Sequence, residues 1–208
     1  MTVLLTTDRL VLRRFTEDDV DNLVALDADP RVTRFLTGGK PTPRSDIADR
    51  VMPAILRFYS LGPAGTWAAE DRVSGAFLGW MSLKPGDDGD TSEVELGYRL
   101  RADAWGRGYA TEGARALVRA AFGELGAGRV WAQTMAVNSA SRRVLEKAGL
   151  RYVRTFHLRF DDPIPGTEHG EVEYELRRVN WPGAVSAHGT DAGTTGAAGA
   201  PAAGSSPA

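Results

Sequence analysis

Two glycines, Gly106 and Gly108, stand on either side of Arg107, directly ahead of an alanine-rich helical pattern. Glycine destabilises a helix interior, so the pair is expected just before the helix. The first backbone N–H groups of a helix have no intrahelical partners and lie at the positive end of its dipole, which suits a phosphate. The segment therefore predicts either a backbone cradle for a phosphate-bearing ligand or only the turn that joins a strand to a helix.

Two carboxylates, Glu93 and Glu95, occur in the strand-like segment "SEVELGYRL". Strand alternation places both on one face, with Val94 and Leu96 on the other. A carboxylate beside a reacting amine could accept its proton or hold its ammonium form. The competing interpretation is a pair of glutamates that simply face solvent.

The surrounding pattern consists of alternating strands and helices. After the glycines, apolar residues recur with a helical period through Ala110, Ala114, Leu117, Val118, Ala121, Phe122 and Leu125. The whole chain reads β-α-α-β-β-β-α-β-α-β-β, which predicts an α/β domain with a mixed sheet. Pro53 is expected either to kink the second helix or to divide it. We predict one domain over residues 1–182 and a disordered tail of small residues over 183–208.

The segment "WGRGYAT" resembles the pyrophosphate loop of the GCN5-related N-acetyltransferases (GNAT), whose pattern is Gln/Arg-x-x-Gly-x-Gly/Ala. Trp105 replaces the Gln or Arg, as in the RimJ/RimL-like (ribosomal-protein) branch. The segments "TDRLVLRRFTEDD", "EVELGYRL" and "NSASRRVLEKAGL" resemble neighbouring family segments in the same order. The likeness covers about residues 6–181. It implies a GNAT fold with a mixed, mostly antiparallel seven-stranded sheet flanked by helices.

The resemblance implies acetyl-CoA as co-substrate and no metal. The residues that it places around the pyrophosphate are Trp105, Gly106, Arg107, Gly108, Tyr109, Ala110 and Thr111. Asn138 would bond to the pantetheine arm or cap the following helix. Arg142 or Arg143 would meet the 3′-phosphate or remain solvated. A bulge would splay the sheet and free a backbone N–H near Leu96 or Gly97 for the thioester carbonyl.

The resemblance also implies catalytic roles. Glu95 would be the general base, acting through water or by positioning an ammonium group, with Glu93 as second choice. Leu145 stands where many family members have a tyrosine, and it has no proton to give. Ser141 would hydrogen-bond the CoA sulfur, or else bond only its own helix backbone. We expect direct attack of a primary amine on acetyl-CoA in a ternary complex.

Composition narrows the remaining possibilities. The chain has 208 residues, a formal net charge of −2 and no cysteine, which excludes disulfides and cysteine nucleophiles. Three dispersed histidines predict no metal site, and nothing predicts a nucleic-acid or membrane partner. We predict a cytoplasmic N-acetyltransferase whose acceptor is a protein N-terminus or a small-molecule amine. A non-catalytic acyl-CoA-binding sensor or scaffold is the alternative, and a homodimer remains open.

Overall fold

The computed structural model describes residues 2–86 and 88–183. Within these residues, eight strands form one sheet in the order β1-β2-β3-β4-β5-β6-β8-β7. Neighbouring strands are antiparallel except for β5 and β6, which are parallel. The strands are β1 Val3–Thr6, β2 Leu10–Arg14, β3 Gly65–Asp71, β4 Phe77–Lys84, β5 Glu93–Leu100, β6 Arg129–Met135, β7 Arg151–Phe156 and β8 Glu171–Arg177. The mixed α/β class predicted from the sequence is confirmed.

Helices cover both faces of this sheet. They are α1 Val20–Asp27, α2 Pro30–Thr33, α3 Arg44–Asp46, α4 Met52–Leu61, α5 Tyr109–Gly123 and α6 Ser139–Lys147. The larger core lies between the sheet and the helices α5 and α6, where Leu96, Leu117 and Leu145 are buried together. The smaller core, which includes Leu23 and Met52, joins α1 and α4 to the opposite face. Each face of the sheet therefore meets a different pair of helices.

The strand count is eight rather than the predicted seven. The additional strand, β1, pairs antiparallel with β2, and Val3 lies opposite Arg13. Its four residues occupy the edge of the sheet and are exposed or only half-buried. Because an edge strand of this length needs no strict alternation of polar and apolar residues, the pattern on which the count relied is absent there. The predicted disorder of 183–208 lies, from residue 184 onward, outside the described residues.

Pro53 does not divide the second helix, which runs without a break from Arg44 to Leu61. A π-helical turn, Ile47–Val51, connects α3 to α4, and Pro53 lies in the first turn of α4. Proline lacks the N–H that an α-helix would bond to the preceding turn. The wider turn before it lets the chain continue as a helix, with its hydrogen-bond pattern changed only locally.

Close approach of α5 to the sheet depends on Gly113. A Cβ atom built on Gly113 would lie 2.0 Å from the sulfur of Met81 in β4. The missing side chain thus allows the helix backbone to pack directly over the central strands, which places the start of α5 beside the end of β5.

Candidate active site

A cleft opens in the middle of the sheet, where β5 and β6 separate. The two strands pair over only three positions, from Glu93 opposite Arg129 to Glu95 opposite Trp131. Beyond these positions β5 continues beside β4 to Leu100, whereas β6 continues beside β8. The β5 edge that faces the cleft therefore has backbone groups without a partner strand.

The backbone direction of β5 identifies which amides face this cleft. The N–H of Arg101 donates to the carbonyl oxygen of Leu78 in β4 at 2.8 Å. Because successive amides of a strand point to opposite sides, the N–H of Gly97 also points toward β4. The N–H groups of Leu96 and Tyr98 point the other way: that of Leu96 faces β6, where the pairing ends at Glu95 and Trp131, and that of Tyr98 faces the cleft beyond it. The free cleft-facing amide next to the predicted positions Leu96 and Gly97 is therefore that of Tyr98.

The predicted bulge is absent from the β4–β5 pair. Its register runs without a shift from Gly79 opposite Leu100 to Lys84 opposite Glu95. The cleft therefore forms by divergence of two parallel strands, without an extra residue in β5.

The two glutamates of β5 occupy different environments. Glu93 is exposed and forms an ion pair with Arg129 at 2.8 Å. Glu95 is half-buried on the sheet face that carries α1 and α4, with Lys84 opposite it in β4. Burial raises the pKa of Glu95, and the charge of Lys84 partly opposes this increase. Glu95 is thus the glutamate with the environment of a proton acceptor, and Glu93 is engaged elsewhere.

The glycine segment forms the uncapped start of α5. Gly106 and Gly108 have φ angles of +71° and +88°, which favour glycine. Gly108 is the N-cap residue, and no side chain accepts a hydrogen bond from the first turn, which contains Tyr109, Ala110 and Thr111. These backbone N–H groups converge on one point and can receive an anion.

Trp105 stabilises this loop from its N-terminal side. Its indole Nε1–H donates to the carbonyl oxygen of Leu100 at 2.8 Å, and about half of the side chain, 48%, remains exposed. The tryptophan therefore joins the end of β5 to the glycine loop, and one part of its ring lies open beside the first turn of α5.

Two arginines flank Tyr109 at the start of this helix. The guanidinium carbons of Arg9 and Arg107 lie 4.8 and 5.1 Å from the centre of its ring. The phenol of Tyr109 donates to Asp71 at 2.8 Å, which fixes the ring. Arg9 also donates to the carbonyl oxygen of Arg107 at 2.8 Å and forms an ion pair with Glu112. Arg9 was not predicted from the sequence, because the residues that it contacts are about 100 positions away in the chain.

A basic groove of about 900 Å³ adjoins the first turn of α5. Its lining combines the β1–β2 turn with the outer surface of α5 and includes Thr6, Thr7, Asp8, Arg9, Arg72, Gly108, Thr111, Glu112, Arg115, Arg119 and Lys147. Five of these side chains are basic and two are acidic, so the groove attracts anions.

The start of α6 lies across the cleft from Glu95. Asn138 caps this helix, because its side-chain oxygen accepts the N–H of Ser141 at 3.2 Å. Arg142, in contrast, donates to the hydroxyl of Tyr174 at 3.1 Å and to the carbonyl oxygen of Ala136 at 3.0 Å. The phosphate contact expected of Arg142 therefore stays a prediction, and Arg143 is exposed.

Ser141 contacts the side chain of Tyr98, a residue that the sequence pattern did not place at the site. The phenol oxygen of Tyr98 lies 3.0 Å from the Ser141 hydroxyl oxygen, and the phenol can also donate to the Ser141 carbonyl oxygen at 3.1 Å. Burial raises the pKa of Tyr98 to about 12, which keeps the phenol protonated. Leu145, which has no proton to give, is buried in the core.

The predicted residues are thus grouped around the cleft. Glu95 lies on one face of β5, the pair Tyr98 and Ser141 lies on the other, and the cleft-facing amides run between them. In residues 2–86 and 88–183, no three side chains that could ligate a metal ion come together. Across the same residues, no helix has the length and apolar character required to cross a membrane.

Comparisons with known proteins agree with this geometry. The family model described as "Acetyltransferase (GNAT) domain" matches residues 9–151. The chain belongs to the GNAT acetyltransferase family, whose members carry out acetyl-CoA-dependent acetylation.

Among individual proteins, the chain is similar to the FsC-acetyl coenzyme A-N(2)-transacetylase of Aspergillus fumigatus. The two are 38% identical over 182 residues, which are 84% of this chain and 76% of the relative. Solved structures share the fold at lower identity. A GNAT-family acetyltransferase from Bacillus anthracis is 21% identical with a TM-score of 0.66, over 86% of this chain and 99% of that chain. RimL, a ribosomal L7/L12 alpha-N-protein acetyltransferase solved with coenzyme A, is 17% identical with a TM-score of 0.67, over 84% and 97%. The chain is therefore an acetyltransferase.

Proposed function

We propose that this acetyltransferase moves the acetyl group of acetyl-CoA directly onto a primary amine in a ternary complex. The observation that carries the proposal is the unpaired edge of β5 between Glu95 on one face and Ser141 on the other. A thioester lying along this edge would have a carboxylate on one side and a hydroxyl donor on the other, which is what amine acetylation requires.

The residues at the start of α5 suit the phosphates of acetyl-CoA. The uncapped amides after Gly108 would bind the pyrophosphate, and Arg9 and Arg107 would add two positive charges beside it. The basic groove next to this turn offers further cations for the 3′-phosphate end, in place of Arg142. The side-chain NH2 group of Asn138 would donate to the pantetheine arm, because only its oxygen is used in capping α6.

The chemical step follows from the positions of these groups. The ammonium form of the amine gives one proton to Glu95, directly or through one water, and the lone pair of the resulting neutral amine attacks the acetyl carbon. The cleft-facing N–H of Tyr98 donates to the carbonyl oxygen as negative charge develops there. The C–N bond forms, and as the C–S bond breaks the nitrogen loses its second proton to water while the departing sulfur receives one at the hydroxyl of Ser141, so that the products are the amide and the CoA thiol. When the phenol of Tyr98 donates to Ser141 Oγ rather than to the Ser141 carbonyl oxygen, the serine proton can point toward the sulfur.

Nitrogen is the acceptor atom that the relatives favour. The Aspergillus fumigatus relative is named for transfer at an N(2) position, and RimL is named as an alpha-N-protein acetyltransferase. An amine on a small molecule and a protein N-terminus are both acceptors of this chemical type, and the elevated pKa of a buried Glu95 suits removal of a proton from either.

The test is the release of CoA from acetyl-CoA across a panel of primary amines, followed by mass spectrometry of the products. Glu95→Gln is expected to lower kcat at least about 100-fold, because it removes a general base without changing the shape of the side chain. Glu93→Gln is the matched control, since it removes an exposed glutamate from the same strand, and its kcat should stay within about twofold. Binding of acetyl-CoA without CoA release on any amine, or full activity in Glu95→Gln, would contradict the proposal.

A further inference from the structure

A second groove lies on the same sheet face as Glu95. It runs between α4 with its preceding turn and the strands β3 and β4, and its volume is about 350 Å³. Its lining is mainly apolar with two basic side chains at the rim: Arg50, Val51, Ala54, Ile55, Phe58, Gly65, Thr66 and Lys84. No role in donor binding has been assigned to this groove, because the start of α5 is on the other side of the sheet.

Lys84 connects this groove to the chemical site. Lys84 and Glu95 are directly opposite each other in the β4–β5 register, and Lys84 acts on the pKa of Glu95 through its charge. Side chains opposite each other in an antiparallel pair are neighbours, so an amine beside Glu95 lies at the mouth of the groove. An acceptor held by its amine at Glu95 would extend naturally along α4.

The groove selects chemistry through its lining. Val51, Ile55 and Phe58 are half-buried, and their apolar surfaces would be covered by an apolar arm of the acceptor. Lys84 has no ion-pair partner within the described ranges 2–86 and 88–183, and Arg50 has only a 3.6 Å contact with Asp46. Arg50, in the turn before α4, is therefore available for a carboxylate or another electron-rich oxygen group at the far end of the arm, whereas Lys84 lies beside the amine end.

We propose that this groove binds the body of the acceptor, and that the acceptor is a primary amine joined to an apolar arm that carries an anionic or strongly accepting oxygen group. A polyamine is the wrong partner, because its further ammonium groups would lie beside Lys84 and Arg50. The inference rests on the proposed function for the position of the amine, but occupancy of the groove can be measured without turnover.

The chain provides a direct reporter of occupancy, because it contains only three isoleucines, at positions 47, 55 and 164. Ile55 lines the groove, and Ile47 is buried with 1% exposure. Ile164 belongs to the loop between β7 and β8 and lies near Gly38. With methyl-labelled isoleucine and the full chain saturated with CoA, we titrate 8-aminooctanoate, 4-aminobutanoate and spermidine. The Ile55 methyl signal is expected to shift with 8-aminooctanoate at a concentration at least about tenfold below that needed for 4-aminobutanoate, because four methylenes are added to the arm. Ile47 should not shift.

Two variants that each add one negative charge distinguish an effect in the groove from an effect elsewhere on α4. Ala54→Glu places a carboxylate in the lining, whereas Ser60→Glu places one on the exposed surface of α4 outside it. Ala54→Glu should raise the concentration of 8-aminooctanoate needed for the Ile55 shift about tenfold, and Ser60→Glu should leave it within about twofold.

The possible outcomes separate this inference from the proposed function. An Ile55 shift that follows this pattern supports the inference even when no CoA is released from acetyl-CoA, a result that would overturn the proposed transfer alone. CoA release on an amine without any Ile55 shift, a shift of Ile164 alone, or a preference for spermidine would overturn the groove while leaving the transfer intact.

Discussion

The phenol oxygen of Tyr98 lies 3.0 Å from the hydroxyl oxygen of Ser141, across the gap between the end of β5 and the start of α6. A serine hydroxyl has a single proton, which rotates freely unless a neighbour fixes the oxygen. When the phenol donates to this oxygen, the serine proton is free to point elsewhere. The relationship therefore makes Tyr98 a positioning residue for a serine that faces the cleft.

Replacement of Tyr98 by Phe should slow the chemical step without weakening the donor complex. We expect kcat to fall about tenfold, the value of one lost hydrogen bond to a developing charge, and the KM for acetyl-CoA to stay within about twofold. Ser141→Ala should lower kcat at least as much, and the double variant should match Ser141→Ala. Steady-state kinetics of the four proteins measure this.

A spectroscopic readout excludes a merely structural effect of Tyr98. The thiol of bound CoA should ionise at lower pH in the wild type than in Tyr98→Phe or Ser141→Ala, because the hydroxyl hydrogen bond stabilises the thiolate. Ultraviolet absorbance of the thiolate during a pH titration follows the ionisation. Equal thiol pKa values in all three proteins, or additive losses of kcat, would show that Tyr98 does not act through Ser141.

The acid limb of the pH profile should belong to Glu95. Burial raises the pKa of Glu95 and Lys84 opposes this effect, so kcat/KM should fall as pH decreases through a value above that of an ordinary glutamate. Lys84→Met removes the opposing charge and should move the limb to higher pH. The limb should be absent from the residual activity of Glu95→Gln. A limb that moves to lower pH in Lys84→Met would contradict the assignment.

The same pKa shift has a consequence for stability. Because the folded-state pKa of Glu95 is raised, its contribution to folding is favourable below the unfolded-state pKa and is lost as pH rises through the folded value. The free energy of unfolding of Glu95→Gln minus that of the wild type should therefore be larger at pH 7 than at pH 4. Urea unfolding at both pH values measures the difference.

Much of the fold and part of the site could be predicted from the sequence, because they depend on local patterns. The glycines before α5, the apolar stripe of α5 and the alternation around Glu95 are all read within a few residues. The roles of Tyr98 and Arg9 could not be predicted, because their partners, Ser141 and Arg107, are far away in the chain. A tyrosine in a strand pattern is equally typical of the core, and only the tertiary fold brings its hydroxyl to Ser141.

Arg142 is a residue for which the sequence predicts one contact and the tertiary fold provides another. An arginine in the first turn of the helix that Asn138 caps is a reasonable expectation for a phosphate contact. The structure instead brings Tyr174 of β8 within 3.1 Å of its guanidinium. The order of β7 and β8 in the sheet decides this contact, and helical periodicity does not report it.

The two glycines of the loop before α5 should differ when each is replaced by Ala. Both have positive φ, so each replacement should cost about 1 kcal/mol of folding free energy from backbone strain. A Cβ atom on Gly108 would also lie 3.2 Å from a guanidinium nitrogen of Arg9. A Cβ atom on Gly106 would have no atom of the described residues within 4 Å apart from those of its chain neighbours. Gly108→Ala should therefore lose more stability and displace Arg9. Urea unfolding measures the first effect, and greater loss in Gly106→Ala would contradict it.

The buried pair of Arg13 and Asp19 should determine how the protein unfolds in acid. Arg13 donates to both carboxylate oxygens of Asp19 at 2.7 and 2.8 Å, and Asp19 also accepts the Thr16 N–H and the Asn22 amide. Burial alone would raise the pKa of Asp19, but these hydrogen bonds outweigh it and lower the pKa. A lowered folded-state pKa means that the stabilisation is present above the unfolded-state pKa and is lost as pH falls through the folded value.

Replacement of Asp19 by Asn tests this network. It leaves Arg13 buried beside Glu70 alone and should cost about 3–5 kcal/mol at pH 7, the range for a buried ion pair that loses one partner. The cost should shrink as pH falls, because the wild type then loses the same charge. Asp18→Asn, an exposed neighbour in the same turn, should change the free energy of unfolding by less than about 0.5 kcal/mol. Urea unfolding from pH 7 to pH 3 measures both variants, and a cost for Asp19→Asn that stays constant over this range would show that the pair does not control acid stability.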